Sequence, residues 1–357
     1  MSETPYYSDL QAVPVGITPQ LRDEIQQLVE AKYDVDELAR HGGAGRHLTT
    51  PFHDGGYGPK DGLGFFRAVL PFSDLENDGD AFSALVPVSQ TIGASWRWST
   101  GSVPETERPA LLARLQDPAR AEEADRERAE FFWIKPLGLF LAHEEKNRVG
   151  FFRDMDAQWI PARVMPCDYP VAKRLAIYRV KHQHQTMYWA VLGNRLLEPM
   201  NHPDWALPVL RAYGVREHHQ WPHDFPPVDV TAAALTARLV NPVSSRPAPL
   251  DLQLVLEREA YEAEDIPCAM MDIDPVKIPS RFFGAMAGLA IVGILLINGI
   301  PDDWPNVRIV AGMVAGAGMF GTLMPLLKIF RLPRRLIDPY ASLRKFSSRE
   351  RKAAGIR

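Results

Sequence analysis

Phe282 to Ile300 reads FFGAMAGLAIVGILLINGI and Ile309 to Leu327 reads IVAGMVAGAGMFGTLMPLL, two runs of 19 residues without a charge. At about 1.5 Å per residue a helix of that length reaches roughly 28 Å, close to the thickness of a bilayer's hydrocarbon core. A surface helix of a soluble protein keeps a polar stripe, and neither run has one. The spacing predicts two transmembrane helices.

The connector Pro301-Asp302-Asp303-Trp304-Pro305-Asn306-Val307-Arg308 is short, proline-bounded and carries an interfacial tryptophan, which makes the pair a tight hairpin. Residues 328–357 hold ten basic side chains against Asp338 and Glu350, a net +8. The positive-inside rule places this tail in the cytoplasm and the hairpin tip across the membrane. Two crossings return the chain to its starting side, and MSETPYYSDLQAVPVG has no basic residue and no apolar core to act as a secretory signal. The expectation is a two-pass protein of a bacterial inner membrane with both termini cytoplasmic. Gly284 and Gly288, and Gly312 and Gly316, recur at four-residue steps, as do Ala311 and Ala315, and Ala317 and Gly321. Such stripes are expected to pack the hairpin on itself or to form a homo-oligomeric interface. The bilayer is one partner, and anionic headgroups are expected at the basic tail.

The whole chain is ordinary in composition: 46% hydrophobic, 24% charged, net charge −4 and mean hydropathy −0.18. This excludes wholesale disorder, a polytopic transporter and a uniformly basic nucleic-acid binder. Taking the tail's +8 and the connector's −1 from the total leaves −11 for residues 1–281. Cys167 and Cys268 are too few for a disulfide framework and read as reduced structural thiols.

Ahead of the hairpin, residues 1–240 read as an acidic α+β cytoplasmic region of one or two subdomains. Residues 241–281 read as linker and juxtamembrane helix. Thr18-Pro19 followed by Leu21, Ile25, Leu28 and Val29 predicts a helix over 18–40. A glycine-rich loop is expected over 42–64, strands over 64–72 and 81–88, and helical composition over 104–130. Strands are then expected over 131–142, 149–153, 158–165, 175–181 and 186–192, with turns at 145–147 and Gly193-Asn194. Helices are expected over 229–240 and 251–262. Strands that cluster instead of alternating with helices predict a largely antiparallel sheet with peripheral helices.

Nucleotide fingerprints, a phosphate loop, a nucleophile elbow and the zincin pair are missing, and the Asp272-Ile273-Asp274-Pro275 carboxylates read as a solvated turn. Six of the ten histidines fall within 182–223. His182 and His184 would share a strand face, and His219 and His223 a helix face, so the four could hold one divalent transition metal with Glu217 or Asp224 in support. Pro222 opposes a helix between His219 and His223. Trp96, Arg97 and Trp98 combine the residue types that dominate protein interfaces. Two readings stay open. The leading one is a membrane-anchored cytoplasmic component that binds a protein partner without a cofactor, as a scaffold or as an accessory or immunity protein of an envelope secretion or toxin system. The other is a membrane-tethered metal-dependent hydrolase using the histidine cluster.

Overall fold

A computed structural model describes residues 10–40, 59–76, 78–93, 98–117, 129–143, 146–240, 248–273, 278–338, 340–342 and 344–346. The chain divides into two compact units, Met1–Ala232 and Ala233–Arg357.

In the first unit helix α1, Pro19–Arg40, starts where Thr18 Oγ1 accepts from the Leu21 amide at 3.2 Å. Leu21, Ile25, Leu28, Val29, Lys32, Val35 and Asp36 form its buried stripe, so two ionisable side chains lie among the apolar ones. The run expected as a strand over 64–72 is instead helix α2, Gly62–Val69. Asp61 Oδ1 accepts from the Gly64 amide at 2.8 Å and caps it, and Phe65, Phe66 and Val69 then share one buried side.

Strands β1, Phe82–Pro87, β2, Thr91–Ile92, β3, Glu130–Ile134, β4, Leu139–Ala142, and β5, Trp159–Cys167, form one sheet in the order β1-β5-β3-β4-β2. It is mixed: β1–β5 and β3–β4 are antiparallel, β3–β5 and β2–β4 parallel. The single strand expected over 131–142 is broken at Gly138, which has φ of +60°, and a Cβ there would crowd Val15 and Ile17. Alternation sorts the side chains: Leu139, Leu141 and Cys167 join one core, Phe140, Ala142, Ile160, Ala162 and Val164 the other. The segment expected as a strand over 149–153 is helix α4, Lys146–Asp154, with Val149, Phe151 and Phe152 in the second core; helix α3, Arg108–Leu115, precedes it.

A second sheet sets β8, Leu196–Pro199, β7, Gln185–Leu192, β6, Leu175–His182, and β9, Arg216–His218, side by side. A two-residue hairpin joins β6 to β7 and a three-residue one, Gly193-Asn194-Arg195, joins β7 to β8. Their central pairs, Gln183-His184 and Gly193-Asn194, all have positive φ, which matches the right-handed twist of the strands. Helix α5, Pro203–Tyr213, adds Ala206, Leu207, Val209 and Leu210 to the first core, and the division between the units falls within the next helix, α6, Val228–Val240.

In the second unit, α7, Leu252–Ala263, is capped by Asp251. Strand β10, Asp265–Cys268, pairs antiparallel with β11, Phe330–Pro333. Between those strands run α8, Ser280–Gly299, and α9, Pro305–Leu323, both long and apolar enough to cross a membrane. The protein is thus membrane-anchored, a mixed-sheet domain followed by a two-helix hairpin. Of the small residues expected to pack, Ala315 and Gly321 close the hairpin, joined by Gly293 and Gly318. A Cβ on Gly293 would overlap the Ala315 backbone, one on Gly318 the Ala290 backbone and one on Gly321 the Met286 side chain. Gly284, Gly288 and Gly316 meet nothing within 4 Å, and Gly312 meets only Ile297 Cδ1, at 3.9 Å. Rotation of each helix about its axis brings a different small-residue face to the contact.

Candidate functional site

The histidine segment is built as structure. His182 is the last residue of β6 and its Nδ1 lies 2.9 Å from Asp229 Oδ1 in the first turn of α6. His184 sits one residue into the turn at φ +66°, so it leaves the strand and does not share a face with His182. His219 and His223 lie in a turn segment, not on a helix. That segment is held by rings: Tyr178 stacks on His218 with centroids 5.1 Å apart, and Trp221 meets Tyr178 at 5.2 Å and Trp189 at 5.1 Å, both edge-on. Trp221 Nε1 donates to the Pro226 carbonyl at 2.7 Å. Burial, with Asp224 adding to it, pushes the Tyr178 hydroxyl up. Among the described residues no three histidine, cysteine or carboxylate side chains come together as a metal site.

Sequence reasoning passed over a charged pair in the first core. Lys32 Nζ lies 2.5 Å from Asp36 Oδ2, and both side chains are 2% exposed. Burial pushes Lys32 down and Asp36 up, each toward its neutral form, while their mutual attraction opposes this. Lys146 Nζ pairs with Asp61 Oδ2 at 2.9 Å nearby. For Asp61, burial is outweighed by the Gly64 amide and Lys146, which hold the carboxyl below its usual range. The readable signal was position: residues 32 and 36 fall on the apolar stripe of α1.

A cleft of about 200 Å³ is lined by Leu63, Arg67, Leu75, Phe132, Met165 and Cys167. This is smaller than the usual ligand pocket. Burial, with a contribution from Asp78, pushes the Cys167 thiol up to about 11. Such a rise lowers the thiolate fraction at pH 8 by about 100-fold. Disulfide-reagent labelling of the native protein at pH 8, with Cys167 distinguished from Cys268 by peptide mass mapping, should run at least that much slower at Cys167 than in denaturant. Equal rates would mean that Cys167 is an open, reactive thiol.

The second core is only partly closed. Helix α3 buries none of its eight residues, although Leu111, Leu112 and Leu115 pack against that core. Trp98 and Trp133 are likewise half-buried at its margin, and Phe82 is 38% exposed. Phe82 meets Trp133 edge-on at 6.3 Å, and Trp133 stacks on Phe140 at 5.9 Å. Trp133 Nε1 is buried without a hydrogen-bond partner among the described residues. Of the aromatic trio expected to bind a partner, Trp98 packs on Phe151 at 6.2 Å and its carbonyl accepts from Arg40 at 3.0 Å. Trp96 and Arg97 lie outside the described residues. No protein-family model matches the chain, and comparison with curated proteins and with solved structures gives no match.

Proposed function

We propose that the protein binds another protein at the membrane, using the half-open face of the first unit as the docking surface and the hairpin as the anchor. One observation carries this reading: α3 and the rings of Trp98, Trp133 and Phe82 surround an apolar core without closing it. Half-buried tryptophan and leucine flanked by polar surface is the composition of an interface centre, where a partner removes the remaining area from water. With the basic tail directing the hairpin's open end inward, the partner is a cytoplasmic protein recruited to a bacterial inner membrane. A scaffold, or an accessory or immunity component of an envelope secretion or toxin system, works in this way.

A photo-crosslinking amino acid at Leu112, in the full chain in its native membrane, should give one discrete adduct. The same probe at the exposed Val171 should give none. Ala110→Glu with Ala113→Glu, at exposed positions of the same helix, should reduce the Leu112 adduct at least ten-fold while leaving the thermal unfolding profile in place. No adduct at Leu112, or one unaffected by the two glutamates, would overturn the docking surface.

A further inference from the structure

Hairpin contacts run Met286 to Gly321, Ala290 to Gly318 and Gly293 to Ala315, an antiparallel register. Continued toward the open end, this register sets Arg281 level with Leu326 and Leu327, next to Lys328 in the chain. The chain then enters β11, whose Arg331 is exposed one strand residue further on. All three cations thus fall within a few residues of the ends of the apolar spans.

The basic residues beyond them are differently placed. Arg334 bonds Glu264 Oε2 at 2.6 Å and lies 4.1 Å above the Tyr261 ring, and Lys345 lies 3.8 Å from the same ring. Arg344 pairs with Asp338. Arg334 and Lys345 are thus engaged by Glu264 and Tyr261 at the end of α7, and Arg344 is paired within the tail. Arg281, Lys328 and Arg331 have no carboxylate within ion-pair distance among the described residues and are exposed. Leu326, Leu327 and Ile329 around them are 52%, 50% and 59% exposed, continuous with the apolar surface of the spans. The hairpin tip carries the opposite charge: Asp302 and Asp303, with Arg308 spent on Asp302.

We propose that Arg281, Lys328 and Arg331 form a collar that binds the phosphate of anionic phospholipid headgroups at the open end of the hairpin. Leu327 and Ile329 seat this collar at the depth where headgroups meet acyl chains, and the β10–β11 pairing holds Arg331 beside it. The proposal rests on the membrane anchor and is independent of protein docking, so the crosslinking result stands whichever way it falls.

The test uses the full-length protein in nanodiscs of equal phosphatidylglycerol and phosphatidylcholine with matched chains. Lipid that stays bound after transfer to detergent is then counted by native mass spectrometry. Each cation near the surface is worth about five-fold in preference for an anionic lipid. Wild type should retain phosphatidylglycerol over phosphatidylcholine, and Arg281→Gln with Lys328→Gln and Arg331→Gln should lower that ratio at least ten-fold. Arg344→Gln with Lys345→Gln removes tail charge but leaves the collar, and should keep the wild-type ratio. No preference in wild type, a triple variant that keeps it, or equal losses in both variants would overturn the collar.

Discussion

Arginine at both Ile291 and Met313 should release the protein from the membrane. Both positions are near the middle of their helices, and their side chains face outward, 58% and 62% exposed. A guanidinium at the centre of a span costs about 2.5–3.5 kcal/mol on the insertion scale, roughly 60- to 300-fold per site. Midway along a helix, neither arginine can reach the interface with its charge without thinning the bilayer. The two together should cost about 5–7 kcal/mol, more than the hairpin can absorb and still partition fully into lipid. Wild type should sediment with membranes after alkaline carbonate extraction, and the double variant should move to the supernatant or be degraded. Ile329→Arg, beyond the end of the spans, should behave as wild type. A double variant that sediments like wild type would mean that the helices do not cross the bilayer.

The hairpin was legible because lipid imposes a composition rule that needs no knowledge of neighbours: a span must be long, apolar and self-satisfied in its backbone bonds. Which glycines pack was not legible by the same rule. Small residues recur around both helices, and only the crossing selects Gly293, Gly318 and Gly321 over Gly284, Gly288, Gly312 and Gly316. Helices 18–40 and 229–240 and the β6–β7 strands emerged with nearly the expected bounds, because they are long and periodic. Gly62–Val69 and Lys146–Asp154 were misread as strands for the opposite reason. Both are built around a short Gly-Phe-Phe step, Gly64-Phe65-Phe66 and Gly150-Phe151-Phe152, too short for a period of 2 to be told from one of 3.6. For the first, the deciding bond is the Asp61 cap.

Candidate sites fared less well because residue type was allowed to stand for residue position. Histidines concentrated over 182–223 looked like ligands, yet His182 pairs with a carboxylate, His184 shapes a turn and His218 stacks on Tyr178. Helix α3 was visible in PALLARL, but its failure to bury any residue depends on how the sheet beneath it is filled. Exposure of that kind is a property of the assembled core and has no signature in a window of sequence.

The Lys32–Asp36 pair should be expensive to break and cheap to replace. Asp36→Leu leaves an ammonium 2% exposed without its partner, and such losses cost about 3–5 kcal/mol. Lys32→Met combined with Asp36→Leu removes both desolvation costs and fills the stripe of α1 with carbon. It should be neutral or stabilising by about 1–4 kcal/mol relative to wild type. The pH dependence separates a stranded charge from simple misfit. Lys32 faces Asp36, Asp61 and Lys146, and burial is the largest influence on it, lowering its affinity for a proton in the folded chain. Between the lowered folded value and the unfolded value near 10.5, the unfolded chain binds more protons, so stability rises with pH through that window. Deleting Asp36 removes the main attraction that opposes burial, lowers the folded value further and widens the window toward neutral pH. Urea unfolding of the full chain in detergent, followed by tryptophan fluorescence between pH 7 and pH 9.5, should therefore show the Asp36→Leu variant recovering stability relative to the double variant as pH rises. A double variant as unstable as the single one, or a single-variant deficit that does not shrink with pH, would mean that the side chains matter for their shape and not for their charge.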